Sequence, residues 1–323
     1  WKLGIINNGL KFKKYLKQKN GKDLYTSYFY EEEKKKRKRK KEERTFGNGN
    51  LVINVIGSEQ AYLQKLIKYI VEKIDEEKGK NMIHLSYEHV ILPTEKFVGR
   101  LGTWIGYTAD ELLEEGIKRA KVEVEKRKEK SKLKGKEVDK ISKMIAISAI
   151  KFSMLRVSPT KQVVFDFDRA ISFDGDTGPY VQYSCVRAKK ILQKLEEIEI
   201  EEKKKKEKGK REMKEEMKEE RKEEMKEEEK EEEITLTEEE RNLIKKISEF
   251  PTVIERVSKN YEYHEIANYA IKLSDLFNLF YEKCPVIKAE EKVRDYRKKI
   301  VLSVYNVLKN SLGLLGIEIP EKM

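Results

Sequence analysis

Two stretches made almost wholly of Lys, Arg and Glu, residues 31–44 and 199–233, divide the chain into parts that can bury apolar surface and parts that cannot. Charged residues make up 40% of the 323 positions, against an average of ~25%. Outside the two runs the sequence is ordinarily periodic, with enough Leu, Ile, Val, Phe and Tyr for two cores. A chain of this length accommodates about two domains. Residues 31–44 carry 9 Lys/Arg against 5 Glu, and 199–233 carry 13 against 17. The two runs cancel, so the net charge of +12 rests on the foldable parts. A basic folded surface favours a polyanionic partner through counterion release.

Several classes drop out. No apolar run approaches the roughly 20 residues that span a bilayer, and Trp1-Lys2-Leu3-Gly4 does not open a secretory signal. The chain starts without a Met and in mid-pattern, from which missing upstream residues are expected. Cys185 and Cys284 lie far apart, and the three histidines, His84, His89 and His264, have no partner at ligand spacing. Neither a disulfide framework nor a metal site is expected. A cytoplasmic setting fits best.

Residues 51–57 (LVINVIG) read as a buried strand, 59–78 as a helix with apolar Tyr62, Leu63, Leu66, Ile67, Ile70 and Ile74, and 82–92 as a second strand. A strand-helix-strand unit implies a parallel sheet. Thr108 and Glu111 form a capping signature that opens a helix. Further on, 137–155 reads as helix, 162–168 as an extended piece, and Asp174–Pro179 as a turn into a helix from about Tyr180. Helices are expected near 236–249, 251–259, 262–283 and 288–311, an all-α bundle. The run 199–233 reads as one solvated helix held by i,i+4 Glu–Lys pairs, or as unfolded chain, with no function of its own.

Two features could carry chemistry. In 96–100 (KFVGR), Lys96 and Arg100 flank Gly99 just beyond a sheet's C-terminal side, where open α/β sheets place ligands. Such cations can neutralise charge on a transferring phosphate, although a solvated basic loop has the same composition. Tyr180, Tyr183 and Arg187 fall at i, i+3 and i+7 on one helix face. Two rings and a guanidinium there suit unstacked RNA bases, or they form the edge of a helix core. His84 and His89 read as structural. No Walker loop, GxGxxG or nucleophile elbow is present.

These segments resemble a known family. Residues 98–119 (VGRLGTWIGYTADELLEEGIKR), 149–192 with VVFDFDRAISFDGDTGPYVQYSCVRAKKIL, 274–287 (SDLFNLFYEKCPVI) and the tail from Gly313 to Met323 resemble class I arginyl-tRNA synthetases, and 51–60 fits the strand that precedes them. The resemblance implies an α/β plus all-α fold: the C-terminal half of a class I, Rossmann-like catalytic domain, followed by a helical-bundle anticodon-binding domain. The implied boundaries are 1–107 for the catalytic remnant, 108–175 for connecting helices, and 176–323 for a DALR-type domain with the insert 199–233.

The implied activity is ATP-dependent attachment of arginine to its tRNA through an arginyl-adenylate, with Mg2+ accompanying the ATP. L-arginine, ATP and tRNA are the implied partners, no membrane is involved, and the chain is a monomer or is completed by a missing N-terminal part. By the resemblance, Lys96 and Arg100 are catalytic and, with Gly57 and Gly99, ATP-binding. Tyr25 and Gln60 bind arginine, and Tyr180, Tyr183, Arg187 and Met323 bind the anticodon. The sequence departs from the family where Phe29 replaces an Asp and Tyr28 replaces an Arg. It also has no HIGH-type motif. The alternative is a non-catalytic anticodon-binding module, or a split subunit needing a separate N-terminal half. The isolated chain is expected to be inactive.

Overall fold

A computed structural model describes residues 10–17, 23–29, 50–91, 108–126, 135–216 and 235–323. The chain forms two units, 1–89 and 90–323. In the first, strands β1 (Leu10–Lys17) and β2 (Asp23–Phe29) pair antiparallel, with Tyr25 opposite Lys14 and an irregularity between Lys14 and Leu16. Periodicity had shown no element there. Strand β3 (Val52–Gly57) leads through a 3-10 turn, Ser58–Gln60, into helix α1 (Ala61–Ile74) and a short helix α2 (Glu76–Lys80). Strand β4 (Met82–Tyr87) then pairs parallel to β3, from Val52 opposite Met82 to Gly57 opposite Tyr87. The expected parallel strand-helix-strand unit is present.

The expected single helix over 59–78 is instead two. Asp75 adopts an extended backbone, and its carboxylate accepts from the Lys78 amide at 3.1 Å, so it closes α1 and caps α2. The turn back onto α1 demands Gly79, because a Cβ there would lie 2.2–2.6 Å from Glu72. Among the described residues of this unit, Val71 and Met82 are the buried apolar side chains. The apolar stripe read on α1 is mostly uncovered: Tyr62 is 79% exposed, and Leu63, Leu66, Ile70 and Ile74 are exposed too.

The second unit is helical apart from β5 (Val90–Ile91) paired with β6 (Val163–Val164). The strand expected over 82–92 is thus split, its last residues pairing elsewhere. Helix α3 (Ala109–Lys126) starts at the expected cap: Thr108 Oγ1 accepts from the Glu111 amide at 3.2 Å, and Glu111 accepts from the Thr108 amide at 2.8 Å. Helix α4 (Gly135–Leu155) packs on α3, and Ile141, Ile145 and Ala149 join Ala120, Val124, Phe165 and Phe173 in one core. The short helix α5 (Phe167–Ile171) follows, capped by Asp166.

Helix α6 (Gly178–Glu216) enters across α4, where a Cβ on Gly178 would stand 2.4 Å from Ser148 Oγ and 2.8 Å from Phe152 Cβ. Helices α7 (Glu238–Ser248), α8 (Phe250–Asn260), α9 (His264–Lys283) and α10 (Glu291–Leu314) complete the expected bundle. Its core includes Phe152, Val181, Cys185, Leu195, Leu243, Phe277, Phe280, Val304 and Leu308. The charged run is not solvated from its first residue. Helix α6 continues into it, and Glu199 and Glu202 accept from Lys298 at 2.5 Å and Arg294 at 2.7 Å on α10.

Candidate functional site

Helix α6 begins where Thr177 Oγ1 accepts from the Tyr180 amide at 3.1 Å while donating to the Ser172 carbonyl at 2.5 Å. That start sets the rotation of the helix, so that Tyr180 and Arg187 reach Asn278 of α9 while Tyr183 packs on the core of α3 and α4. Tyr180 is half-buried rather than freely exposed. Its hydroxyl donates to Asp275 Oδ1 at 2.7 Å and accepts from Asn278 Nδ2 at 2.9 Å. Burial, followed by the Asp275 carboxylate, pushes the phenol up to about 12. Arg187 Nη1 donates to Asn278 Oδ1 at 2.7 Å, and Nη2 donates to the Tyr183 hydroxyl at 3.2 Å. Its guanidinium carbon lies 4.7 Å from the Tyr183 ring centre and 4.8 Å from that of Tyr281. A cation over two rings gains from both quadrupoles.

The C-terminal tail arrives at the same place. Gly316 ends α10 in the left-handed region, at φ +65, and the Ile317 amide returns to the Leu312 carbonyl at 2.9 Å. Three side chains then hold tail carbonyls: Lys151 that of Gly316, Gln182 that of Glu318, and Lys190 the Met323 oxygen at 3.3 Å. Met323 and Tyr183 both pack on the core formed by α3 and α4. A cleft of about 430 Å³ opens between Lys140, Ile141 and Met144 of α4 and Ile319, Pro320 and Lys322 of the tail. Arg187 thus joins Tyr183 directly and Tyr180 through Asn278, and Met323 is held by Lys190 of the same helix.

Asp275, Asn278, Tyr281 and Lys190 escaped the reading of the sequence. Asp275, Asn278 and Tyr281 recur every third residue, separated by Leu276-Phe277 and Leu279-Phe280, and that was the available signal. Tyr281 is 44% exposed and offers an aromatic face on this side.

In the first unit Gly57 ends β3 and Gln60 closes the following turn, at the C-terminal edge of the parallel pair. His89 Nε2 meets Glu59 Oε1 at 2.8 Å there, while His84 Nε2 lies 3.0 Å from the Ile56 carbonyl oxygen. Tyr25 lies on β2. Lys96, Gly99 and Arg100 lie outside the described residues. Among the described residues no group of three or more His, Cys, Asp or Glu could hold a metal ion. Cys185 is buried, and burial pushes its thiol up to about 12. Among the described residues no helix is long and apolar enough to cross a membrane.

Residues 9–167 match the family of class I tRNA synthetases (R), catalytic domain, and residues 214–323 match the DALR anticodon binding domain. The arginine–tRNA ligase of Thermococcus sibiricus is 36% identical over 324 residues, covering all of this chain and 46% of that protein. That of Pyrococcus furiosus is 39% identical over 279 residues, covering 86% of this chain and 41% of its own. The Thermus thermophilus arginyl-tRNA synthetase structure superposes with a TM-score of 0.70 at 26% identity, over 97% of this chain and 46% of that one. The chain spans less than half the length of the curated relatives it matches. With a class I catalytic segment followed by a DALR helical domain, the chain belongs to the arginyl-tRNA synthetase family.

Proposed function

We propose that this chain is the C-terminal portion of an arginine–tRNA ligase, which activates L-arginine with ATP and esterifies the terminal adenosine of its tRNA. The segments 1–107, 108–175 and 176–323 then serve as catalytic remnant, connecting helices and anticodon-binding domain. Lys96 and Arg100 steady the ATP phosphates beside the backbone of Gly57 and Gly99. Mg2+ enters with the ATP. Tyr25 and Gln60 contact arginine. Tyr180, Tyr183, Arg187 and Met323 form the anticodon site. A monomer working in the cytoplasm fits this role.

The observation that carries the reading is the Arg187 guanidinium over Tyr183 and Tyr281, on the helix whose Lys190 holds the Met323 oxygen. An extruded base needs a π-face and polar groups at its edge, and the rings and the guanidinium supply both. The test is binding of the chain to arginine-accepting tRNA, with and without a substituted central anticodon base. Equal binding of both refutes the reading. Arginine charging by the isolated chain should be absent.

The second reading is a split subunit or a non-catalytic module. The uncovered apolar face of α1, with Tyr62, Leu66 and Ile74 exposed, supports a subunit that needs another polypeptide. Adding a polypeptide that carries the N-terminal half of a relative separates the cases: a split subunit gains charging activity, whereas a module gains none.

A further inference from the structure

The hydrogen bonds around Arg187 form a chain with one consistent direction. Asp275 is acceptor-only, so the Tyr180 hydroxyl, 2.7 Å away, must donate to it. The Tyr180 oxygen is then left to accept, and the group 2.9 Å from it must be the amide nitrogen of Asn278. Ser184 repeats the constraint. Its hydroxyl donates to the Tyr180 carbonyl at 3.1 Å and accepts from the same amide nitrogen at 3.2 Å. With the nitrogen committed twice, Asn278 Oδ1 can only face Arg187, a donor-only group, at 2.7 Å.

The guanidinium is a rigid planar fork, so one fixed donor sets the whole plane. Asn278 and Tyr183 take two of its five N–H groups. The other three meet no acceptor among the described residues.

Resting on the anticodon reading above, we propose that Tyr180 and Asn278 are positioning residues: they relay the Asp275 carboxylate to Arg187 and hold its free N–H groups toward the edge of the RNA base. Tyr180 then works through its hydroxyl rather than as a stacking ring. This reassigns the outermost of the residues that the helix face alone had grouped as one stacking stripe. Discrimination between bases, more than affinity, depends on the relay, because a misaimed guanidinium still attracts phosphate and still stacks.

The experiment uses the full chain and two anticodon stem-loop RNAs that differ only in the central base, cytosine or uracil. The wild-type chain should prefer cytosine. Tyr180→Phe and Asn278→Leu should each cut the ratio of the two dissociation constants roughly tenfold, since a good base contact discriminates at about that level. The melting midpoint of Tyr180→Phe should stay close to wild type. Tyr180→Phe keeps the ring and its packing, so it decides the matter even if Asn278→Leu does not fold. If the wild-type chain discriminates and Tyr180→Phe discriminates equally, the relay is wrong and the anticodon reading survives. If the wild-type chain shows no preference, both fall.

Discussion

Glu240 of α7 and Arg297 of α10 meet at 2.7 Å inside the bundle, with 1% of the Glu240 side chain and 12% of that of Arg297 exposed. Burial by itself would raise the Glu240 carboxyl. The nearby Tyr296 hydroxyl, the Thr237 amide and the Arg297 guanidinium outweigh it and hold the group below its usual range. A depressed folded pKa means stability that is present above the unfolded pKa of about 4.3 and is lost as pH falls through the lower folded value. Glu240→Gln leaves Arg297 uncompensated and should cost about 3 kcal/mol at pH 7. Urea melts should show that gap closing below about pH 4, and a gap unchanged in acid would refute the assignment.

Gly178→Ala should destabilise the second unit by about 1–3 kcal/mol, because the added methyl overlaps Ser148 and Phe152 on α4. The substitution forces α6 away from α4, so RNA binding at Tyr183 should weaken with it. Denaturant melts and stem-loop titrations on the same sample check both. A neutral result would show that the two helices part without cost.

Tyr281→Ala should weaken anticodon stem-loop binding about tenfold, within the range for losing one stacked base. The ring is exposed and covers Arg187 rather than a core, so the melting midpoint should barely change. A large drop in midpoint with unchanged RNA affinity would make Tyr281 a packing residue.

Replacing 205–233 with a short Gly/Ser linker should leave the unfolding midpoint unchanged, since long surface segments change closure entropy little. Starting the replacement at residue 199 removes the pairs of Glu199 with Lys298 and Glu202 with Arg294. Both pairs are partly exposed, so the additional loss should be about 1 kcal/mol in total. Thermal melts of the two deletions side by side test this. Equal midpoints would mean that the pairs contribute nothing.

Much of the architecture was legible because it is written locally. Caps such as Thr108 with Glu111 act over three residues, and apolar spacing acts over one helical turn, so both appear in a short window. The parallel unit of β3, α1 and β4 and the helices of the bundle followed from those rules. The breaks were harder to see. Asp75 divides α1 from α2 only because Gly79 can press against Glu72, and the sheet partner of Val90 lies 73 positions away at Val163.

The site separates the two kinds of information most clearly. That Tyr180, Tyr183 and Arg187 share a helix face could be read along the chain, because 3.6 residues per turn leaves no alternative. The fold selected Asn278, 91 positions after Arg187, to hold its guanidinium, Asp275 to accept the Tyr180 hydrogen bond, and Lys190 to hold the Met323 oxygen. A polar side chain on a helix can meet any of many partners, and nothing in its neighbours along the chain selects one. The packing of α6 against α9, with Gly316 turning the tail back toward α4 and α6, makes that selection, and it is what turns three residues on a stripe into an oriented site.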